Sequence, residues 1–193
     1  MELLFASHNT HKIQEIQQML PSGLKLLGLS DLGWDTPIPE TGNTLVENAW
    51  IKADALFSKT QKNCFADDTG LLVEALNGAP GVYSARYAGP EKSAENNMAK
   101  LLKALNGNNN RKAKFVTVIA CYWKGEKHIF IGEAHGEILL QASGKKGFGY
   151  DPIFRPDGFA VSFAEMEALE KNKISHRGRA FQEFLNFINS QMH

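Results

Sequence analysis

Six consecutive polar residues near the start of the chain combine groups that can bind an anion. They are Ser7, His8, Asn9, Thr10, His11 and Lys12. The segment separates a strand-like run from a helix-like run, so hydroxyl groups, backbone N–H groups, the positive end of a helix dipole and a lysine converge there. This combination favours a phosphate ligand. The competing interpretation is an ordinary polar turn in which Asn9 caps the helix.

Four acidic residues form a second candidate group: Glu40, Glu47, Asp67 and Asp68. Carboxylates near strand ends can hold Mg²⁺, which prefers oxygen ligands and bridges to phosphates, and one carboxylate can orient an attacking water. Asp67 and Asp68 follow an apolar run and precede Thr69, which favours a metal-binding or catalytic role. Alternatively, the two aspartates begin a turn and Glu47 completes a helix cap.

The third group combines glycines, aromatic rings and an acid: Gly147, Phe148, Gly149, Tyr150 and Asp151. Glycine allows the backbone to approach a ligand closely. The rings of Phe148 and Tyr150 can stack on a planar base, which contributes about 1–3 kcal/mol per base. A flexible turn ahead of a strand is the competing interpretation.

A fourth, basic group consists of Lys171 and the segment Ser175-His176-Arg177. Lys171 can reach a phosphate, and Arg177, or His176 when protonated, can donate to the O6 and N7 acceptors of a 6-oxopurine. Adenine carries an amino donor in place of O6, so a pocket lined by donors would disfavour it. The alternative is a solvated basic helix cap.

Alternating strand-like and helix-like segments must position these groups, which indicates one α/β domain over residues 1–193. Residues 3–6 are predicted to form a buried strand, followed by a helix that ends at Pro21. A second helix should open at Thr44, which has capping-box spacing to Glu47. Residues 64–66 should form a short strand that presents the aspartate pair at its carboxyl end, where open α/β sheets place their ligands.

The second half of the chain predicts a mixed sheet. Residues 93–105 have helical spacing of apolar side chains, and the β-rich residues 115–123 and 128–140 predict a long antiparallel hairpin. Ser162 and Glu165 have the spacing of a further capping box. Ser175 is placed to cap a last helix.

Composition excludes several classes of protein. With 193 residues, 21 basic and 21 acidic side chains and 43% hydrophobic residues, the chain is typical of a globular domain. Zero net charge provides no field towards a polyanion, so no nucleic-acid partner is expected. The apolar runs are too short to cross a bilayer and the start lacks a signal-peptide pattern, so we expect no membrane partner. Two cysteines provide no disulfide framework, which favours a cytoplasmic location.

Together these segments resemble the inosine triphosphate pyrophosphatase family. Six motifs carry the resemblance, in the order the family has them. They are Ala6-Ser7-His8-Asn9 through Lys12 and Glu15; Glu40-Thr41-Gly42 with Glu47-Asn48-Ala49; Ala66-Asp67-Asp68-Thr69-Gly70-Leu71; Ala79-Pro80-Gly81-Val82-Tyr83-Ser84-Ala85-Arg86; Gly147-Phe148-Gly149-Tyr150-Asp151-Pro152-Ile153-Phe154; and Ser175-His176-Arg177-Gly178.

The resemblance implies an α/β fold with an elongated mixed β-sheet flanked by helices, two lobes with a central nucleotide cleft, and a homodimer. It also implies Mg²⁺-dependent hydrolysis of ITP, dITP and XTP to the monophosphate and pyrophosphate. Glu40 and Asp68 would bind Mg²⁺, and Asp68 would also accept the proton of the attacking water. Substrate would contact Ser7, His8, Asn9, Thr10, His11, Lys12, Thr69, Phe148, Gly149, Tyr150, Asp151, Lys171, His176 and Arg177.

His8 departs from the family, which commonly has glycine before the asparagine of the first motif. A residue with a side chain tolerates fewer backbone conformations, so we expect a more restricted approach of this turn to the phosphates.

Three other functions remain open from the sequence. One is a related pyrophosphatase whose base pocket accepts other damaged or modified nucleotides. Another is a regulator that senses ITP or GTP without hydrolysis, although a sensor would not need both Glu40 and Asp68. A nucleic-acid-binding module is less favoured because the net charge is zero.

Overall fold

A computed structural model describes residues 2–191 of the chain. Its strands are β1 (Glu2–Phe5), β2 (Lys25–Leu27), β3 (Cys64–Val73), β4 (Pro80–Gly81), β5 (Lys112–Trp123), β6 (Glu126–Ile138) and β7 (Phe154–Pro156). Its α-helices are α1 (Thr10–Met19), α2 (Leu45–Thr60), α3 (Ala94–Ala104), α4 (Ala168–Ile174) and α5 (His176–Gln191).

These strands form a mixed sheet, as the sequence predicted. The strand order is β2-β1-β3-β5-β6-β7, and β4 pairs with β3. Strand β1 is parallel to both β2 and β3, whereas the pairs β3–β4 and β6–β7 are antiparallel. Parallel neighbours need crossover connections, and helices α1 and α2 lie in the segments that connect β1 to β2 and β2 to β3.

The chain divides into two compact units. The first unit comprises the described residues of Met1–Asp68, Thr117–Gly132 and Arg177–His193. The second unit comprises Thr69–Val116 and Glu133–His176. The single domain expected over residues 1–193 stays a prediction.

Aromatic side chains dominate the core of the first unit. Phe5 of β1 and Phe65 of β3 stack with ring centroids 4.5 Å apart, and Phe65 also contacts Phe181 and Phe184 of α5. All four side chains are fully buried. Burying a side chain of this size stabilises the fold by about 1.5–3 kcal/mol. The core therefore fixes α5 against the strands that carry the acidic residues of this unit.

A separate core holds the second unit together. Phe154 of β7 contacts both Phe115 of β5 and Phe163, with ring centroids 4.8 and 5.1 Å apart. Leu101 of α3 and Leu105, which follows that helix, complete the packing and are fully buried.

Local signals in the sequence predict the starts of α2 and α3 correctly. Helix α2 has the predicted capping box, in which the Thr44 side chain accepts from the Glu47 N–H and the Glu47 side chain accepts from the Thr44 N–H. Ser93 is the N-cap of α3, and its side chain accepts from the Asn96 N–H. The predicted hairpin of β5 and β6 turns at Lys124 and Gly125, whose φ values of 50° and 83° match the tight turn that suits twisted strands.

Two predictions of local structure are wrong. Strand β3 runs from Cys64 to Val73, so the two aspartates lie within the strand instead of following it. Ser162 and Glu165 do not start a helix. The Ser162 N–H donates to the Glu165 side chain at 2.7 Å, but the segment is a turn and α4 begins at Ala168.

None of the helices among the described residues has the length and apolar character needed to cross a membrane.

Candidate active site

The turn between β1 and α1 is held by hydrogen bonds among its own residues. Asn9 caps α1, with its Oδ1 accepting from the Lys12 N–H at 3.2 Å, and the Ser7 hydroxyl accepts from the Asn9 N–H at 3.1 Å. Thr10 and His11 lie exposed in the first helical turn. The cap at Asn9 is the one that the competing interpretation expected, and the binding of a phosphate by the N–H groups of this turn stays a prediction.

His8 occupies the turn without backbone strain. It is not among the described residues that have a positive φ, so its conformation is one that any residue with a side chain adopts. Its Nε2 lies 2.6 Å from the carbonyl oxygen of Trp34. The departure from glycine therefore adds a contact at this position and does not distort the turn.

Asp67 contacts two cations, the half-buried Lys12 and the buried Arg177. Lys12 Nζ is 2.8 Å from Asp67 Oδ1, and Arg177 Nε is 3.4 Å from Asp67 Oδ2. Arg177 also donates to Glu15 Oε2 of α1, at 2.5 Å. Burial by itself would raise the pKa of Asp67, but the charges of Lys12 and Arg177 outweigh it and hold this pKa well below its usual range. Asp67 is therefore an ionised anchor for the two cations.

Lys52, absent from the residues predicted from sequence, joins Glu40 to strand β3. Its Nζ lies 2.6 Å from Glu40 Oε1, 2.6 Å from the Asp67 carbonyl oxygen and 3.6 Å from Asp68 Oδ1. The sequence does contain a signal for this residue. Lys52 belongs to the buried stripe of α2 that also includes Ala49 and Ala53, and a lysine in an apolar stripe needs a buried partner.

Asp68 differs from its neighbour in the strand. Its side chain is buried, and burial raises the pKa of its carboxyl although the charge of Lys52 opposes the rise. Two adjacent aspartates thus have pKa values shifted in opposite directions, a pattern that distinguishes acid–base groups from fixed charges. The surroundings of Asp68 suit a proton acceptor.

Glu40 and Asp68, the predicted Mg²⁺ ligands, both approach the Lys52 ammonium, at 2.6 and 3.6 Å. Mg²⁺ is usually held by one or two carboxylates together with waters and substrate phosphates. Among residues 2–191 there is no group of three or more His, Cys, Asp or Glu side chains that could hold a metal ion. Oxygen donors of the kind that Mg²⁺ prefers are present in Glu40 and Asp68, and the binding of Mg²⁺ by this pair stays a prediction.

Asp151 and Lys171 form a buried ion pair in the second unit. Lys171 Nζ donates to Asp151 Oδ2 at 2.8 Å, and the same oxygen accepts from the Phe148 N–H at 2.8 Å. Lys171 Nζ also lies 5.3 Å from the centroid of the Phe148 ring. Gly147 is required here, because its φ is +72° and a Cβ would overlap Asp151 Oδ2. Three predicted substrate residues are thus brought together.

Tyr150 and His176, both predicted to contact substrate, are buried. The Tyr150 ring is 5% exposed and its hydroxyl donates to the Ser84 carbonyl oxygen at 2.8 Å. His176 is 4% exposed and stacks on Phe115 with centroids 4.4 Å apart. Both rings have contacts within the second unit, and Phe148, the other predicted aromatic residue, is half-buried.

The remaining predicted residues fall into both units. Thr69 lies half-buried in β3, and Gly149 has a φ of 64°. The boundary between the two units falls within the basic group predicted from sequence. Lys171 and His176 belong to the second unit, and Arg177 belongs to the first, where it contacts Asp67.

Two charged residues left without a role by the sequence have structural contacts. Glu47 Oε2 accepts from the Asn43 and Thr44 N–H groups at the start of α2. The Arg86 guanidinium lies 5.2 Å from the centroid of the Tyr83 ring.

Known proteins match this chain along nearly its whole length. The model of the Ham1 family matches residues 3–187. A dITP/XTP pyrophosphatase of Christiangramia forsetii is 54% identical, covering 97% of this chain and 99% of its own. One of Flavobacterium johnsoniae is 52% identical, covering 97% and 98%.

The structure of the Staphylococcus aureus Ham1 protein has a TM-score of 0.89 at 40% identity, covering 99% of this chain and 100% of its own. A HAM1 protein from Coxiella burnetii has a TM-score of 0.90 at 38% identity, covering 98% and 99%.

Proposed function

This chain belongs to the Ham1 family, and on that premise we propose that it is a nucleoside triphosphate pyrophosphatase for deaminated purine nucleotides. Its substrates would be dITP, XTP and ITP, and its products the monophosphate and pyrophosphate. The names of the relatives, dITP/XTP pyrophosphatase, support this assignment. The activity would remove deaminated purines from the nucleotide pool.

One observation carries the proposal: two lysines and an arginine, all largely removed from solvent, are paired with carboxylates in and around strand β3. Lys12 and Arg177 converge on Asp67, and Lys52 connects Glu40 with Asp68. A fold gains little stability from burying so many charges, since the desolvation cost offsets much of the attraction between them. Such a cluster is explained when it must bind phosphate groups and a divalent cation.

The residues of the first unit would perform the chemical step. Glu40 and Asp68 would hold Mg²⁺, which supplies positive charge to the phosphate oxygens when bound. The turn from Ser7 to Lys12 would bind the triphosphate through hydroxyl and N–H donors. The Asp68 carboxylate would accept a proton from the water that attacks the α-phosphorus, and pyrophosphate would leave. No covalent enzyme intermediate is required.

The second unit would recognise the base. Phe148 would stack on the purine, and donors from Lys171 and His176 would favour the O6 acceptor of hypoxanthine or xanthine. Asp151 fixes the position of the Lys171 ammonium through their 2.8 Å contact. Adenine would be disfavoured because its amino group would face these donors.

Location and assembly follow from the same proposal. We infer a cytoplasmic enzyme that acts as a homodimer, as the family resemblance implies. The thiols of Cys64 and Cys121 are free and buried, and burial raises the pKa of Cys64 to about 12, so this thiol is poorly reactive. Light scattering after size-exclusion chromatography would measure the assembly.

The decisive experiment measures both pyrophosphate and orthophosphate after incubation with Mg²⁺ and dITP, XTP, ITP, GTP or ATP in separate reactions. We expect pyrophosphate from the first three nucleotides and little product from ATP. Asp68→Asn should abolish release while the protein stays folded. Orthophosphate as the product would contradict cleavage between the α- and β-phosphates, and near-normal turnover by Asp68→Asn would show that another group accepts the proton.

A further inference from the structure

We propose that His8 is a positioning residue for the phosphate-binding turn, acting through the hydrogen bond from its Nε2 to the Trp34 carbonyl oxygen. The inference rests on the proposed function, because it concerns how that turn is prepared for a triphosphate. His8 stands where the resembled family commonly has glycine, so the role belongs to this chain's own sequence.

The hydrogen bond from His8 has a defined direction. The two atoms are 2.6 Å apart and belong to residues that are far apart in the sequence. A carbonyl oxygen can only accept, so Nε2 carries the hydrogen. The acceptor belongs to the backbone, so replacing the Trp34 side chain leaves it in place.

The segment that receives this bond also contacts the turn through its backbone. The Leu29 N–H donates to the Ser7 carbonyl oxygen at 3.2 Å, and the Trp34 N–H donates to the Leu29 carbonyl oxygen at 3.0 Å. Leu29 is 1% exposed, so this segment is anchored in the fold. The approach is close, since a Cβ at Gly28 would lie 3.3 Å from the Ser7 carbonyl oxygen.

Two hydrogen bonds hold two adjacent residues of the turn. Ser7 is fixed through its carbonyl oxygen and His8 through its side chain. The hydrogen bonds that Asn9 makes lie within the turn itself and are exposed to water. A turn that is already ordered loses less conformational entropy when a ligand binds. A glycine at position 8 would provide no side-chain donor and would leave the backbone freer.

Three replacements of His8 separate the hydrogen bond from other effects. His8→Leu removes the donor at similar size, His8→Gly also frees the backbone, and His8→Gln places an amide N–H near the position of Nε2. We expect KM for dITP to rise about fivefold in His8→Leu and by more in His8→Gly. His8→Gln should restore KM to near the wild-type value, and kcat should change less than KM in each variant.

Inorganic tripolyphosphate tests the turn without a base. Its inhibition constant against dITP hydrolysis should rise in parallel with KM across the three variants. Trp34→Phe is the matched control, because it keeps the carbonyl oxygen and should leave both constants unchanged. Thermal unfolding of every variant identifies losses that come from global destabilisation.

The outcomes separate this inference from the proposed function. Wild-type KM and tripolyphosphate inhibition in both His8→Leu and His8→Gly would overturn the positioning role. So would a His8→Gln variant as impaired as His8→Leu. If the wild-type protein releases no pyrophosphate from dITP, XTP or ITP, the proposed function fails. The affinities of wild type and of the His8 variants for tripolyphosphate, measured by direct titration, would then still support or overturn the role of His8.

Discussion

Replacing Lys52 with methionine should destabilise the protein strongly. The Lys52 ammonium lies 2.6 Å from Glu40 Oε1, 2.6 Å from the Asp67 carbonyl oxygen and 3.6 Å from Asp68 Oδ1. Its side chain is only 10% exposed. Methionine retains most of the apolar stem, so Lys52→Met removes mainly the charge and the donors.

The structure sets the size of the loss. Removing one partner of a buried ion pair costs about 3–5 kcal/mol, because the other charge is left in a poorly solvated place. The Glu40 side chain is 26% exposed, so water can recover part of its solvation. The Asp68 side chain is 11% exposed and recovers less. We therefore expect the free energy of unfolding to fall by about 3 kcal/mol, at the lower end of that range.

Urea unfolding in the presence of a chelator measures this loss. Lys62→Met is the matched control, since Lys62 is exposed just after the end of α2, and it should change stability by less than about 0.5 kcal/mol. Adding Mg²⁺ at constant ionic strength should stabilise Lys52→Met more than wild type, because the ion replaces the missing charge between Glu40 and Asp68. Equal stabilities of the two lysine variants would refute the reasoning.

Three further predictions also concern the stability of the fold. Asp67→Asn should lower stability by about 3 kcal/mol at pH 7. The pKa of Asp67 is lowered in the folded protein. The contribution of this carboxylate to the free energy of unfolding is therefore complete above its pKa in the unfolded chain, about 4, and is lost as the pH falls through its pKa in the folded protein. A difference from wild type that is as large at pH 3 as at pH 7 would contradict this. Tyr150→Phe removes the donor to the Ser84 carbonyl oxygen and should cost about 1 kcal/mol in thermal unfolding. Gly147→Ala should cost about 1–3 kcal/mol in urea, because alanine is strained at positive φ and its Cβ would overlap Asp151; an unchanged midpoint would exclude that overlap.

Sequence predicts those features whose determinants are close together along the chain. The capping box of Thr44 and Glu47 and the Asn9 cap depend on residues three positions apart, and both are present. The mixed sheet follows from the alternation of segments and the hairpin. The extent of β3 does not, because Leu71 and Leu72 of β3 pair with residues of β4, and no local pattern predicts that pairing.

The contacts of the site depend on distant pairs, which sequence patterns do not specify. Arg177 was expected to contact the base, which stays a prediction, and its contacts with Asp67 and Glu15 were not expected. Consecutive residues of a helix point about 100° apart, so neighbours in sequence need not share surroundings. Lys52 was missed for a related reason, since only its place in an apolar stripe distinguishes it from a solvated lysine.

The capping box of α2 has a consequence for changes in chain length. It fixes where the helix begins, and each later residue advances by about 100° around the axis. Deleting or inserting one residue between Thr44 and Lys52 would therefore turn the ammonium away from Glu40 while the helix itself stayed intact. The same change after Lys52, towards the helix end at Thr60, would leave the ammonium in place. It would still turn the fully buried Leu56 away from the core if made before that residue, so the tolerance of α2 to insertions and deletions should be confined to its last turn.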